Sequence, residues 1–257
     1  MSGTSARRSG RPPQGEPIID RAFRILGAFA DAGQALPLAT LAARAVLPKS
    51  TTSRIATQLV AVGALERTAD GDFVVGLQLL EIASLAPRGH GLRAAALPFL
   101  EDLHHVTRQH ILLGVRDGQT AVLVERLSAR DATAVKYRVG GRLPLTETGI
   151  GIALLAHAPE QVRDEALAAA ADPPRIRQLL ATVRSAGVCA VAGPNPVGTG
   201  PATVSSVAAP ILGRGGEPLG AISLVGPKDE GVQVAARVAV RTAALAIARA
   251  AGLRASL

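Results

Sequence analysis

From Ile18 to Val75 the spacing of apolar residues changes in a fixed order, helical three times and then strand-like, and few folds accommodate that order. Ile18, Ala22, Ile25, Leu26 and Phe29 recur at intervals of three and four, which predicts a helix over Ile18 to about Ala30, ended by Asp31-Ala-Gly33. Leu38, Leu41, Ala42 and Ala45 repeat the pattern over Leu38 to Val46. Leu47-Pro48 breaks it, and Pro48 suits the first position of a third helix that reaches about Ala61. On this helix Ile55, Leu59 and Val62 line one face, which turns Ser50, Ser53, Arg54 and Thr57 outward. Residues Glu66 to Val75, ERTADGDFVV, predict two short strands around Asp70-Gly71, a dipeptide suited to a tight hairpin. Three helices closed by a hairpin is the order of a winged helix-turn-helix domain.

Beyond the hairpin, Leu77, Leu80, Ile82 and Leu85 resume a helical spacing, which Pro87-Arg-Gly-His-Gly91 interrupts before a further helix from about Leu92 to Arg108. Strand-like runs follow at Ile111–Val115, Ala121–Leu127 and Ala134–Val139, with turn signals at Asp117-Gly118 and Gly140-Gly141. Helices are expected at Gly149–Ala156, Pro159–Ala171 and Pro174–Ala186. Two strands, Thr203–Ile211 and Leu219–Val225, surround Gly213-Arg-Gly-Gly216, and a helix from about Glu230 to Ala251 closes the chain. The fold class is α+β, with an antiparallel sheet in the second half. Residues 1–16, with Arg7, Arg8, Arg11 and two consecutive prolines, read as a disordered basic arm. Residues 17–76 form the first domain, 77–91 a helical connection and 92–257 the second domain.

Composition narrows the function. The chain of 257 residues is 48% hydrophobic and 19% charged, enough apolar material for real cores. It shows neither a signal-peptide pattern nor an apolar run of the roughly 18 residues a membrane helix needs, so a cytoplasmic protein with no membrane contact is expected. Cys189 is the only cysteine, which rules out an intrachain disulfide and a thiolate zinc site. The net charge of +8 suits a polyanionic partner, yet residues 1–75 hold nine Lys+Arg against six Asp+Glu, so the excess is spread over both domains. Four Phe, one Tyr and no Trp disfavour base stacking on aromatic platforms and point to double-stranded DNA if nucleic acid is bound.

The segment from Pro48 to Arg54 carries the chemistry that fits this partner. Lys49, Ser50, Thr51, Thr52 and Ser53 join helix-start N–H groups as donors to phosphate oxygens, and an exposed helical Arg54 suits guanine O6 and N7. Arg67 on the hairpin is placed to reach a flanking phosphate or minor groove, and an ordinary exposed strand arginine is the competing reading. Catalytic readings find little support. Cys189 reads as a small buried hydrophobe, His104, His105 and His110 lack a completing ligand for a metal, and Gly149-Ile-Gly151 lacks the third glycine of a dinucleotide loop. No catalytic residue, metal or cofactor is expected.

The runs Ile18-Ile-Asp-Arg21-Ala-Phe-Arg-Ile-Leu26 and Leu47-Pro-Lys-Ser-Thr-Thr-Ser-Arg54, with Leu59 and Gly63 behind them, resemble the IclR-type transcriptional regulators. The resemblance continues through Val139-Gly-Gly-Arg-Leu-Pro-Leu145, Gly149-Ile-Gly-Ile-Ala-Leu-Leu-Ala156 and Ala221-Ile-Ser-Leu-Val-Gly-Pro227, and spans about residues 17 to 250. It implies a winged helix-turn-helix domain, a linker helix used in dimerisation, and a C-terminal GAF-like effector-binding domain. It further implies a homodimer or homotetramer on a palindromic operator and a small organic acid as effector. By position it adds Arg21 to the DNA-binding set and assigns Leu145, Gly149, Ile150, Ser206, Ser223 and Val225 to the effector pocket.

The chain departs from the family pattern in ways that bear on specificity. Thr146 and Ile152 stand where many relatives carry His and Lys, nothing between Ser185 and Gly213 is charged, and Gly193 to Pro201 reads as an enlarged loop. A less polar pocket and an apolar, aromatic acid follow. Val46 replaces the usual Gly of the helix-turn-helix turn, which predicts a reshaped turn. A repressor of a catabolic operon is the leading expectation. Two alternatives stay open: a small-molecule-binding or hydrolytic domain whose winged helix makes protein contacts, and an effector-blind DNA-binding protein.

Overall fold

A computed structural model describes residues 16–30, 35–128, 137–194, 203–227 and 230–254. Nearly all of the expected basic arm, the Asp31-Ala-Gly33 helix end, the first half of Ala134–Val139 and most of the 193–201 loop lie outside the described residues. The chain divides into two compact units between Leu85 and Ala86.

The first unit runs α1 (Ile18–Gly27), α2 (Leu38–Ala45), α3 (Lys49–Ala61), β1 (Leu65–Arg67), β2 (Phe73–Val75) and α4 (Leu77–Ser84). Ile25, Leu41, Ile55, Leu65 and Phe73 are fully buried where the three helices meet the hairpin, each stabilising the unit by about 1.5–3 kcal/mol. The strands pair antiparallel with Arg67 opposite Phe73, and Gly71 takes the left-handed conformation (φ 83°) that the turn requires. Leu36 adds an isolated bridge to Phe73 and so ties the segment before α2 to the hairpin.

Three expectations are corrected in this unit. Pro48 is the N-cap of α3, one residue before the helix, with extended ψ of 140°. Val62 does not join the buried face, because α3 ends at Ala61 and leaves Val62 as a 64% exposed cap. The turn after α2 is not reshaped: Val46 itself adopts the left-handed conformation (φ 52°, ψ 49°) that glycine ordinarily supplies. Val46 N–H donates to Ala43 O (3.2 Å) and Leu47 N–H to Ala42 O (3.0 Å), the paired bonds of a Schellman end.

The second unit begins with α5 (Pro87–Thr107), followed by β3 (His110–Asp117), β4 (Thr120–Leu127), β5 (Arg142–Pro144) and α6 (Gly149–Ala156). It ends with α7 (Glu160–Ala168), α8 (Pro173–Ala186), β6 (Cys189–Pro194), β7 (Thr203–Leu212), β8 (Pro218–Pro227) and α9 (Glu230–Arg254). The segment 87–91, expected to interrupt a helix, is helical: Pro87 occupies the first turn of α5, where a missing N–H costs nothing. Tyr137 and Arg138 lie outside any strand, because Gly140 N–H and Gly141 O both bond Leu123 and leave β5 to form the sheet edge.

The sheet has six strands in the order β5-β4-β3-β8-β7-β6, and every pairing is antiparallel. Alternation along the strands gives it two apolar faces. Ile111, Leu113, Val207, Ala209, Ile222 and Leu224 pack against α5 and α9. Leu112, Ala121, Leu143, Ala208 and Val225 pack on the other side against α6, α7 and α8. All eight residues of α6 are buried, so this helix has no polar face and sits entirely within the core.

Candidate functional site

The exposed surface of α3 is the first candidate. Its N-cap, Pro48, offers no side-chain acceptor, and the first intrahelical bond runs from Thr52 N–H to Pro48 O (2.9 Å). The N–H groups of Lys49, Ser50 and Thr51 therefore leave the helix end as donors for an anion. Lys49, Ser50, Arg54, Thr57 and Gln58 are exposed, and Thr51 and Ser53 are half-buried. Thr52 is a correction. It is fully buried and its hydroxyl donates back to Pro48 O (3.1 Å), so it packs into the core and faces no ligand. Thr52, Ile55, Ala56 and Leu59 share the inward stripe, a pattern the periodicity already contains but the polar residue type conceals.

The two outlying arginines are held close to the unit. Arg67 donates to Gly71 O (3.0 Å) and lies 4.3 Å above the Phe73 ring, folded back on its own hairpin. Arg21 is half-buried with its Nε buried and without a hydrogen-bond partner.

The second candidate is a cavity of about 410 Å³ between the sheet and α6 and α8. Of the six residues assigned from sequence, Gly149, Ile150, Ser206, Ser223 and Val225 line it. Leu145 does not. It is a core residue pressed against α6, and a Cβ on Gly151 would stand 2.6 Å from its Cα. Gly149 allows an equally close approach on the other side: a Cβ there would lie 2.3 Å from Ser206 Oγ.

One end of this cavity concentrates hydrogen-bond donors. Thr148 caps α6, accepting from Gly151 N–H (3.1 Å) and donating to Pro144 O (2.9 Å), while Ile152 N–H takes Thr148 O. The N–H groups of Gly149 and Ile150 are left for a ligand at the positive end of the helix. Register places Ser206 opposite Val225 and Ser223 opposite Leu112, so both hydroxyls share the sheet face beneath that helix end. Ser223 is 1% exposed and its Oγ has no partner in the protein. A buried hydroxyl without a partner costs about 1–3 kcal/mol, which a bound acceptor recovers.

The remaining walls are aliphatic, from Leu112, Leu143, Ile176, Leu179, Val191 and Val204. Tyr137, Thr146, Glu147, Asp172 and Arg175 add polar groups that sequence reading did not assign to the site. The Asp172-Pro-Pro helix start is the signal that could have placed two of them, since Asp172 caps α8 by accepting Arg175 N–H (3.1 Å). Burial raises the Tyr137 phenol above its ordinary pKa, so it stays a neutral donor in the wall. Cys189 lies in the core beside the cavity, its thiol pushed up to about 12 by burial. Among the described residues no group of three His, Cys, Asp or Glu side chains could hold a metal, and no helix is long and apolar enough to cross a membrane.

Comparison with known proteins matches both units. Residues 18–69 fit the model of the IclR helix-turn-helix domain, and residues 86–251 fit that of the bacterial transcriptional regulator IclR C-terminal domain. The chain belongs to the IclR family. A crystallised IclR homologue of Microbacterium hydrocarbonoxydans, complexed with 4-hydroxybenzoate, is 33% identical with a TM-score of 0.81, over 93% of this chain and 100% of that one. The glycerol operon regulatory protein of Streptomyces coelicolor is 28% identical over 218 residues, 81% of this chain and 84% of its own. The Escherichia coli repressor AllR is 28% identical over 160 residues, and the match spans 59% of each chain.

Proposed function

We propose that this IclR-family chain is a sequence-specific regulator of transcription, a repressor of a catabolic operon, that responds to a small aromatic acid held in the second unit. The donor set at the start of α6 carries the reading. Two helix N–H groups and the Ser206 and Ser223 hydroxyls suit a carboxylate, and the aliphatic walls suit an apolar ring. Arg175 is the one cationic side chain among the described lining residues, so the carboxylate is met by dipoles and hydroxyls more than by a counter-charge. The relative crystallised with 4-hydroxybenzoate supports the same ligand class.

On the DNA side, Lys49, Ser50, Thr51 and Ser53 with the helix end grip phosphates while Arg54 reads base edges. A homodimer on a palindromic operator gives α3 its second half-site. Exposed Leu77, Leu80, Ile82 and Leu85 on and beside α4 support such a pairing, because apolar patches of that kind commonly mark protein interfaces.

Thermal shift and calorimetry with benzoate, 4-hydroxybenzoate, glyoxylate and pyruvate test the effector class. Stabilisation by the aromatic acids and indifference to the keto acids is expected. Tight binding of glyoxylate or pyruvate, with no response to the aromatic acids, refutes it.

A further inference from the structure

The turn between α2 and α3 decides where the recognition helix points, and in this chain it is built on an unfavourable residue. Val46 is left-handed, and a β-branched side chain in that region crowds its own backbone. Val46 is 80% exposed, so side-chain packing does not hold it there. Hydrogen bonds do. Besides the Schellman pair, the guanidinium of Arg24 on α1 binds the carbonyls that the turn leaves over: Nε and Nη2 donate to Ala45 O (3.0 and 2.7 Å), and Nη2 donates to Val46 O (2.7 Å). Glu16 holds the other edge of the guanidinium, accepting from Nη1 at 3.0 and 3.1 Å. Arg44 on α2 returns the exchange by donating to Ala28 O (3.1 Å), the C-cap carbonyl of α1. Pro48 restricts Leu47 to extended backbone, so the direction set at Val46 passes directly into α3.

We propose that Arg24 is a positioning residue for DNA recognition: it fixes the left-handed turn at Val46 and thereby aims α3, without touching DNA itself. This rests on the reading that α3 meets DNA. The proposal gives the departure at Val46 its compensation, since a glycine at position 46 would adopt the turn without help.

The test uses the full chain, a labelled fragment of the DNA upstream of its own gene, and fluorescence anisotropy over a salt series. Arg24→Ala is expected to weaken binding about tenfold while the slope of log affinity against log salt stays that of the wild type. In a Val46→Gly background the same Arg24→Ala change is expected to cost less than about threefold, a coupling that a phosphate contact lacks. Should Arg24→Ala not fold by circular dichroism, Arg24→Lys, which can serve one carbonyl, is expected to give an intermediate loss with the same rescue. A slope reduced by about one, equal losses in the two backgrounds, or an Arg24→Ala variant that binds like the wild type overturns the proposal. The two failures are separable. A wild-type chain that binds its fragment no better than scrambled DNA sinks the DNA reading and the proposal together, whereas a discriminating wild type with an unaffected Arg24→Ala sinks the proposal alone.

Discussion

Ser223 sets ligand binding against stability in the proposed site. Its hydroxyl is buried and without a protein partner, so Ser223→Ala is expected to raise the melting temperature of the ligand-free chain, by the equivalent of about 1 kcal/mol. The same change is expected to weaken an aromatic acid by about 1.5–3 kcal/mol, the range for a hydrogen bond to a charged group. Calorimetry and a melting curve on one pair of proteins check both signs. A variant that melts lower and binds equally well contradicts the role given to Ser223. Residue type also explains what sequence reading missed at this scale. Thr52 sits on the buried stripe of α3, but threonine at a helix start reads as a donor to an outside partner. Leu145 sits beside the motif that builds the pocket, yet spacing along the chain does not tell a cavity wall from the layer behind it.

At the scale of elements, the middles of helices and strands are legible in the sequence and their ends are not. The span Gly149–Ala156 was expected and found, because Gly-Ile-Gly-Ile-Ala-Leu-Leu-Ala is bounded by a threonine cap and a polar turn. The run 87–91 was misread because proline and two glycines mark a break locally, whereas packing of α5 on α9 and the sheet overrides that signal. The junction of α6 and β7 makes a sharp prediction: Gly149→Ala drives a methyl group into Ser206 Oγ and is expected to cost about 1–3 kcal/mol of stability while closing the donor end to ligand. An unchanged ligand affinity measured by calorimetry would count against that geometry. The other end of α6 titrates. Burial, with Arg184 alongside, holds His157 below its ordinary 6.5, so the folded chain keeps it neutral where the unfolded chain takes up a proton. Its contribution is present above about pH 6.5 and is lost as pH falls below that value. Denaturant melts between pH 5 and pH 8 are expected to show this slope in the wild type and a flatter one in His157→Gln.

For the whole molecule, the net charge of +8 marked a polyanion as partner but not the surface that meets it. The α3 face has few charges, and its case rests on an uncapped helix end and one exposed arginine. Arg54→Ala is accordingly expected to lose about 1–3 kcal/mol of operator affinity, read by anisotropy, with calorimetric ligand binding unchanged. The class of each half is legible from order and spacing, and family resemblance places five of the cavity's residues, whereas its outer wall of Tyr137, Asp172 and Arg175 is not legible, because β3, β5, β6, β7, β8, α6 and α8 all contribute and no local pattern brings them together. In the proposed regulator, the occupied cavity and the DNA-reading unit are coupled. This coupling is read from operator affinity of the full chain, titrated with and without saturating 4-hydroxybenzoate. A roughly 5- to 150-fold weaker operator complex with the acid present, and an equal loss of acid affinity when operator is bound, is expected. Operator affinity that does not change while calorimetry shows the cavity filled would contradict it.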